Sequence, residues 1–254
     1  MKLHIETHGA GKELVLLHGW GMHGGIWEGV QEQLAQHFRL HVVDLPGYGA
    51  SSACEPYTLT RLAEILAGSF PGRVNVCGWS LGGQVALTWA QQSPAQVERL
   101  VLVGATPCFT KRVCWENGID PEVFDIFARN LQQAYEATLK RFLSLQARAG
   151  EDARQVMAQL RANLFTRGRP SIEVLRAGLR ILQESDLRDE IGLITQPVLL
   201  IHGEYDTLAP VAVAYWLKDH LLKARLEVVP GSAHAPFLSH RQDFIKLLVG
   251  FLRG

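Results

Sequence analysis

The sequence predicts an α/β fold, a mostly parallel sheet covered by helices on both faces. Three observations carry this. Short apolar runs that end in glycine or a polar turn recur along the chain. Stretches with helical apolar spacing separate them. One long segment, from about residue 107 to 188, is helical in pattern and has no strand-like run. Continuous apolar runs suit strands buried on both faces, and their alternation with helices makes a parallel sheet.

Residues 1 to 7 alternate weakly and fit an opening strand, with a glycine-bearing turn at His8 to Lys12. Leu14 to Leu17 is the first continuous run. Leu40 to Val43, Val74 to Cys77, Leu100 to Val103, Val198 to Ile201 and Leu226 to Val229 repeat it. Gly25 to His37 carries Ile26, Val30, Leu34 and Phe38 at helical spacing, and Thr58 to Phe70 carries Leu59, Leu62, Ile65, Leu66 and Phe70. Gly83 to Gln92, Val211 to Leu222 and Asp243 to Leu252 also read as helices. In the long segment, helices are expected over Pro121 to Gln146, Asp152 to Leu164 and Ser171 to Leu182. This is a helical insertion between two sheet strands.

At 254 residues the chain suits one large domain or a core with an insertion, and 47% hydrophobic content supports a well-buried core. Lys plus Arg and Asp plus Glu are equal at 25 each, so net charge gives no ground for nucleic-acid or membrane binding. No stretch approaches the roughly 18 apolar residues of a membrane span. The N-terminal residues lack the apolar region of a secretory signal, so a cytoplasmic protein is expected. Cys54, Cys77, Cys108 and Cys114 do not form a disulfide framework. Cys108 and Cys114 could pair, but free thiols are the simpler reading.

The chemistry centres on Gly78-Trp79-Ser80-Leu81-Gly82, a G-x-S-x-G pattern between a predicted strand and a predicted helix. Such a turn pushes the serine hydroxyl out of the sheet. Other candidates follow other strand runs: His18-Gly19-Trp20-Gly21 after the first, Asp206 after Ile201, His234 after Val229. Loops after the strands of a parallel sheet meet at its carboxyl edge, where ligands bind. Ser80 needs a base. His234 is the expected choice, because an imidazole can both take and return a proton. Asp206 would orient it. Read one at a time, Ser80 also fits a helix cap, Asp206 fits a cap for the helix near Pro210, and Glu204 is a rival third member. His18 is expected to shape its loop, Asp44 to order its turn, and His202 and His240 to be structural or exposed. Trp79 reads equally well as core or as pocket wall.

The order Ser, Asp, His, together with LVLLHGWG at 14–21, VVDLPGYGASS at 42–52, GWSLGG at 78–83, LLIHGEYDTLAP at 199–210 and GSAHAPFLSHRQDF at 231–244, resembles the α/β-hydrolase family over the whole chain. ATPCF at 105–109, KRFLSLQ at 140–146 and HAPFLSH at 234–240 resemble its biotin-pathway carboxylesterases, which act on pimeloyl-[acyl-carrier protein] methyl ester. The resemblance implies an α/β-hydrolase fold with core segments 1–106 and 189–254 and a helical lid over 107–188. It implies Ser80, Asp206 and His234 as catalytic residues, and no cofactor or metal. The backbone N–H of Leu81 follows the nucleophile and is one oxyanion donor; the resemblance points to Trp20 for the other. Trp20, Trp79, Leu81 and Phe142 would line an acyl channel. A broader short-chain esterase, lactonase or thioesterase, or an idle hydrolase scaffold acting as a ligand receptor, are the alternatives.

Between Leu139 and Arg180 there are nine basic residues against three acidic ones. They are either solvated helix faces or a docking surface for an acidic partner. The resemblance favours an acyl-carrier protein carrying a pimeloyl methyl ester. Arg141 and Arg154 match family docking arginines, Ala137 and Ala158 stand where the family has arginine, and Lys140 and Arg161 are close enough to substitute. A monomer is expected.

Overall fold

The computed structural model describes residues 2–254. Among these residues seven strands form one sheet in the order β1-β3-β2-β4-β5-β6-β7. They are β1 (His4–His8), β2 (Lys12–Leu17), β3 (Phe38–Asp44), β4 (Val74–Trp79), β5 (Val97–Val103), β6 (Val198–Gly203) and β7 (Ala224–Val229). Only β1 is antiparallel, with His4 opposite Asp44; every other pairing is parallel. Each expected strand run is present, and β4 and β6 are buried at every residue.

From β2 the chain goes to β3 on one side and then crosses to β4 on the other. Right-handed crossovers therefore put α1 (Glu28–Ala35) on one face and α2 (Leu59–Ser69) and α3 (Leu81–Gln92) on the other. Accordingly α2 packs on α3, while α1 packs on the last helix, α10 (Arg241–Arg253). The reversal of direction beside β2 is the kind of switch point at which parallel sheets bind ligands, at the carboxyl ends of β2 and β4.

Between β5 and β6 lie α4 (Pro121–Gln133), α5 (Tyr135–Ala147), α6 (Ala153–Asn163) and α7 (Ile172–Glu184). The single helix expected over Pro121 to Gln146 is two. The break is at Ala134, φ −148° and ψ 60°, and no glycine or proline marks it. Packing decides it. In one straight helix, Phe127 and Phe142 would be roughly 22 Å apart along the axis. The turn instead brings their rings edge to face at 5.8 Å. Thr138 helps, its hydroxyl donating to the Ala134 carbonyl over 2.8 Å.

Phe38 also departs from expectation. It is the first residue of β3, paired with Lys12, because α1 ends at Ala35. The first turn of the expected Gly25 helix is a 3-10 turn, Gly24–Trp27, capped by His23 Nδ1 accepting from Gly25 N–H at 3.1 Å. Two short pieces had no sequence signal: the 3-10 stretch Arg188–Leu193 and α9 (Pro236–Ser239). They precede and follow α8 (Val211–His220). All four cysteines are free.

Candidate active site

Ser80 sits between β4 and α3 with φ 56° and ψ −117°. A non-glycine residue held there is strained and persists only because its surroundings over-determine it. Its N–H donates to Val103 O at 3.0 Å, and its carbonyl accepts from Gly83 N–H at 2.9 Å. Glycine is required nearby for close approach. A Cβ on Gly82 would lie 2.5 Å from the Leu17 carbonyl oxygen, so α3 starts directly against the end of β2. Ser80 occupies the capping position of α3 but its side chain makes no capping bond, so its hydroxyl is not spent on the helix.

His234 and Asp206 meet in the core. His234 Nδ1 lies 2.8 Å from Asp206 Oδ2, with both side chains fully buried. A carboxylate only accepts, so Nδ1 carries the hydrogen and Nε2 is left with a lone pair. Nε2 is buried and has no partner among the described residues. The other Asp206 oxygen, Oδ1, accepts from Leu208 N–H and Ala209 N–H, each at 2.9 Å. Asp206 therefore orders its own loop and faces the imidazole at once. Glu204 is occupied elsewhere, accepting from Gly231 N–H at 3.1 Å.

The link from this pair to Ser80 runs through the end of β5. Val103 O holds the Ser80 N–H, and the next residue, Gly104, abuts both partners: a Cβ on it would lie 3.0 Å from His234 Nδ1 and 3.1 Å from Asp206 Oδ2. The His18-Gly19 loop closes the other side, where a Cβ on Gly19 would lie 3.2 Å from Ser80 Cβ. The backbone N–H groups of Trp20 and Leu81, from that loop and from the start of α3, are bonded to no acceptor among the described residues. Leu81 N–H is also at a helix N-terminus, the positive end of the helix dipole.

His18 braces the loop. Its Nδ1–H donates to Gly19 O at 2.8 Å and its Nε2 accepts from Leu45 N–H at 2.9 Å. With both nitrogens engaged and burial lowering its pKa to about 4, it stays neutral and moves no proton. Asp44 orders turns, accepting from Gly24 N–H at 2.7 Å and Ala50 N–H at 3.0 Å. His202 is buried, lowered by that burial, and donates from Nε2 to Ala209 O at 3.0 Å, fixing the loop after Asp206. Half-buried His240 bonds Ser239.

A cavity of about 230 Å³ lies between the insertion and the loop after Asp206. Val123, Phe124 and Phe127 of α4, Phe142 and Leu145 of α5 and Leu179 of α7 form apolar wall, and Thr207 and Leu208 form the side toward Asp206. Of the expected lining residues, the structure places Phe142 on this wall. Trp20, Trp79 and Leu81 are fully buried and do not line it. Trp20 meets the Phe142 ring edge-on at 4.7 Å and donates its indole N–H to Leu175 O of α7 at 2.9 Å. Trp79 donates its indole N–H to His234 O at 2.9 Å and packs on Phe237.

Apart from Phe142 no residue of this wall was expected there, and Gln146, the last residue of KRFLSLQ, had no site role in the sequence reading. Gln146, near the end of α5, accepts the His234 N–H on its carbonyl at 3.1 Å, and its side-chain oxygen is buried without a partner. Nothing in its spacing marked it. On the insertion's surface, Arg141, Arg154 and Arg161 are exposed and form no ion pair among the described residues, whereas Lys140 is 3.5 Å from Glu136.

The profile of the alpha/beta hydrolase fold matches residues 13–241. The chain is 50% identical over 243 residues to the pimeloyl-[acyl-carrier protein] methyl ester esterase of Nitrosomonas europaea, covering 96% of each. It is 42% identical over 252 residues to the enzyme of that name from Chromobacterium violaceum, covering 99% and 98%. Among solved structures it resembles an esterase from Exiguobacterium antarcticum, TM-score 0.88 at 27% identity, covering 99% and 96%. A bromoperoxidase from Bacillus anthracis, TM-score 0.92 at 24% identity, covering 99% and 95%, shares the fold. This chain belongs to the alpha/beta hydrolase fold family.

Proposed function

We propose that this protein is a serine carboxylesterase that hydrolyses the methyl ester of pimeloyl-[acyl-carrier protein], releasing methanol and the free carboxylate. The observation that carries the chemistry is the buried His234–Asp206 pair with Nε2 left open, tied through Val103 and Gly104 to a strained Ser80. The substrate assignment rests on the relatives of that name, which match nearly the whole chain.

Ser80 Oγ attacks the ester carbonyl while His234 Nε2 takes its proton. Asp206 holds the tautomer and stabilises the imidazolium. The oxyanion is received by the N–H groups of Trp20 and Leu81, and losing one such donor typically costs about 100- to 1,000-fold. His234 returns the proton to the departing methoxide. Water, activated by the same imidazole, then releases the acid. No cofactor or metal takes part. The acyl chain occupies the apolar cavity under residues 107–188, which act as a lid, while the thioester and carrier stay outside. Arg141, Arg154 and Arg161, with Lys140, face the acidic carrier. The enzyme works as a cytoplasmic monomer; among the described residues no helix is long and apolar enough to cross a membrane.

Mass spectrometry of pimeloyl-carrier methyl ester after incubation tests the reading. Loss of the methyl group with the thioester intact is expected. Ser80→Ala should abolish both that loss and labelling by a fluorophosphonate. Cleavage at the thioester would overturn the substrate assignment.

A further inference from the structure

Among the described residues Arg148 is the one charged residue on the wall of the cavity between the lid and the Asp206 loop. It caps the C-terminus of α5, is exposed at the cavity rim, and has no carboxylate within ion-pair distance among the described residues. Its backbone is held relative to His234 from both sides. Two residues before it, Gln146 O holds His234 N–H at 3.1 Å; three residues after it, Glu151 N–H donates to Gly231 O at 2.9 Å. The Leu145 carbonyl, which accepts the Arg148 N–H, also accepts the Thr207 hydroxyl, tying the same turn to the loop after Asp206.

A cavity that is apolar but for Thr207, with one unpaired guanidinium at its rim, suits a molecule that is apolar along its length and anionic at its far end. A planar guanidinium matches a carboxylate with two parallel hydrogen bonds. We propose that the protein also hydrolyses carrier-free half-esters, the monomethyl esters of straight-chain α,ω-dicarboxylic acids, with Arg148 pairing the distal carboxylate while the ester lies at Ser80. This rests on the reading of Ser80 and the cavity given above. The reaction balances without a further reactant. Ser80 Oγ bonds to the ester carbonyl carbon and the C–O bond to methoxide breaks. Methoxide leaves as methanol with the proton from His234. Water then splits the acyl-enzyme into the dicarboxylate, a proton and free Ser80.

The lid carries many cations, and their summed field would favour any anion regardless of length. A guanidinium tethered at one point of the rim favours the chain whose carboxylate falls within its reach when the ester is at Ser80. The distinguishing readout is therefore a ratio measured against length. For each length, kcat/KM is measured for the monomethyl dicarboxylate and for the methyl ester of the monocarboxylic acid with the same number of carbons, from succinate to suberate, with native enzyme, Arg148→Ala and Arg148→Lys. The native ratio should pass through a maximum of about 5-fold at one length, a size suited to an exposed charge-assisted pair. That maximum should vanish in Arg148→Ala, appearing as a rise in KM for the half-ester, and return in part in Arg148→Lys. A native ratio that is flat with length, or a maximum that survives in Arg148→Ala, would overturn the proposal while leaving the esterase reading intact. Failure of native protein to cleave any methyl ester, with no fluorophosphonate labelling, would overturn both.

Discussion

The indole N–H of Trp79 donates to the backbone carbonyl of His234 across 2.9 Å. Trp79 immediately precedes Ser80, so the turn that presents the nucleophile also holds the loop that presents the base. The ring is fully buried and stacks at its edge on Phe237, one turn beyond His234. Trp79→Phe keeps most of the packing and removes the donor. It should cost about 1 kcal/mol of stability, and about 10-fold or more in kcat because a small displacement of the base is amplified at the reacting atoms. Steady-state kinetics together with urea unfolding separate the two effects.

Gly104 tests the same geometry from the other side. Its φ is +49°, and a Cβ there would lie 2.9 Å from His234 O as well as against the His–Asp pair. Gly104→Ala should lower kcat by about 100-fold with the fold retained, since the methyl group displaces the base. Gly68, in α2 with open space at its Cβ position, is the control. Gly68→Ala should leave kinetics unchanged and raise stability by up to about 1 kcal/mol.

Three buried histidines make stability depend on pH. Burial is the main cause of the lowered pKa at His18, His23 and His202, with His18 at about 4. In the unfolded chain an imidazole titrates near 6.5. The unfolded state therefore takes up protons that the folded state refuses. Their contribution is complete above about pH 6.5 and is lost as pH falls toward 4. Urea unfolding from pH 7.5 to 4.5 should show stability falling with acid. His18→Asn should flatten that slope by up to about one proton.

The unpaired lid arginines should act on encounter rather than on chemistry. Arg141→Ala with Arg154→Ala should lower kcat/KM for the carrier-bound ester by about 10-fold and weaken its salt dependence. Hydrolysis of a small neutral ester should change far less. Equal losses on both substrates would point to damage within the lid instead.

Much of this molecule is legible in the sequence because its signals are local. Each apolar run became a strand, since a parallel sheet buried on both faces needs unbroken apolar residues and little else. The strand-turn-helix around Ser80 is written in five residues, because the turn leaves no room for a Cβ at Gly78 or Gly82. What the sequence by itself left open was decided by contacts between distant segments. Whether Asp206 or Glu204 would face the imidazole depended on where the loops after β6 and β7 meet: Asp206 reaches His234, and Glu204 is drawn to Gly231. The break at Ala134 exists so that Phe127 and Phe142 can pack together. Trp79 proved to be a tie to the His234 loop, and Gln146 and Arg148 came to the site only because α5 ends against it. Periodicity reports which side of an element is buried. It carries no information about which other loop that side will touch, and the site is made of such contacts.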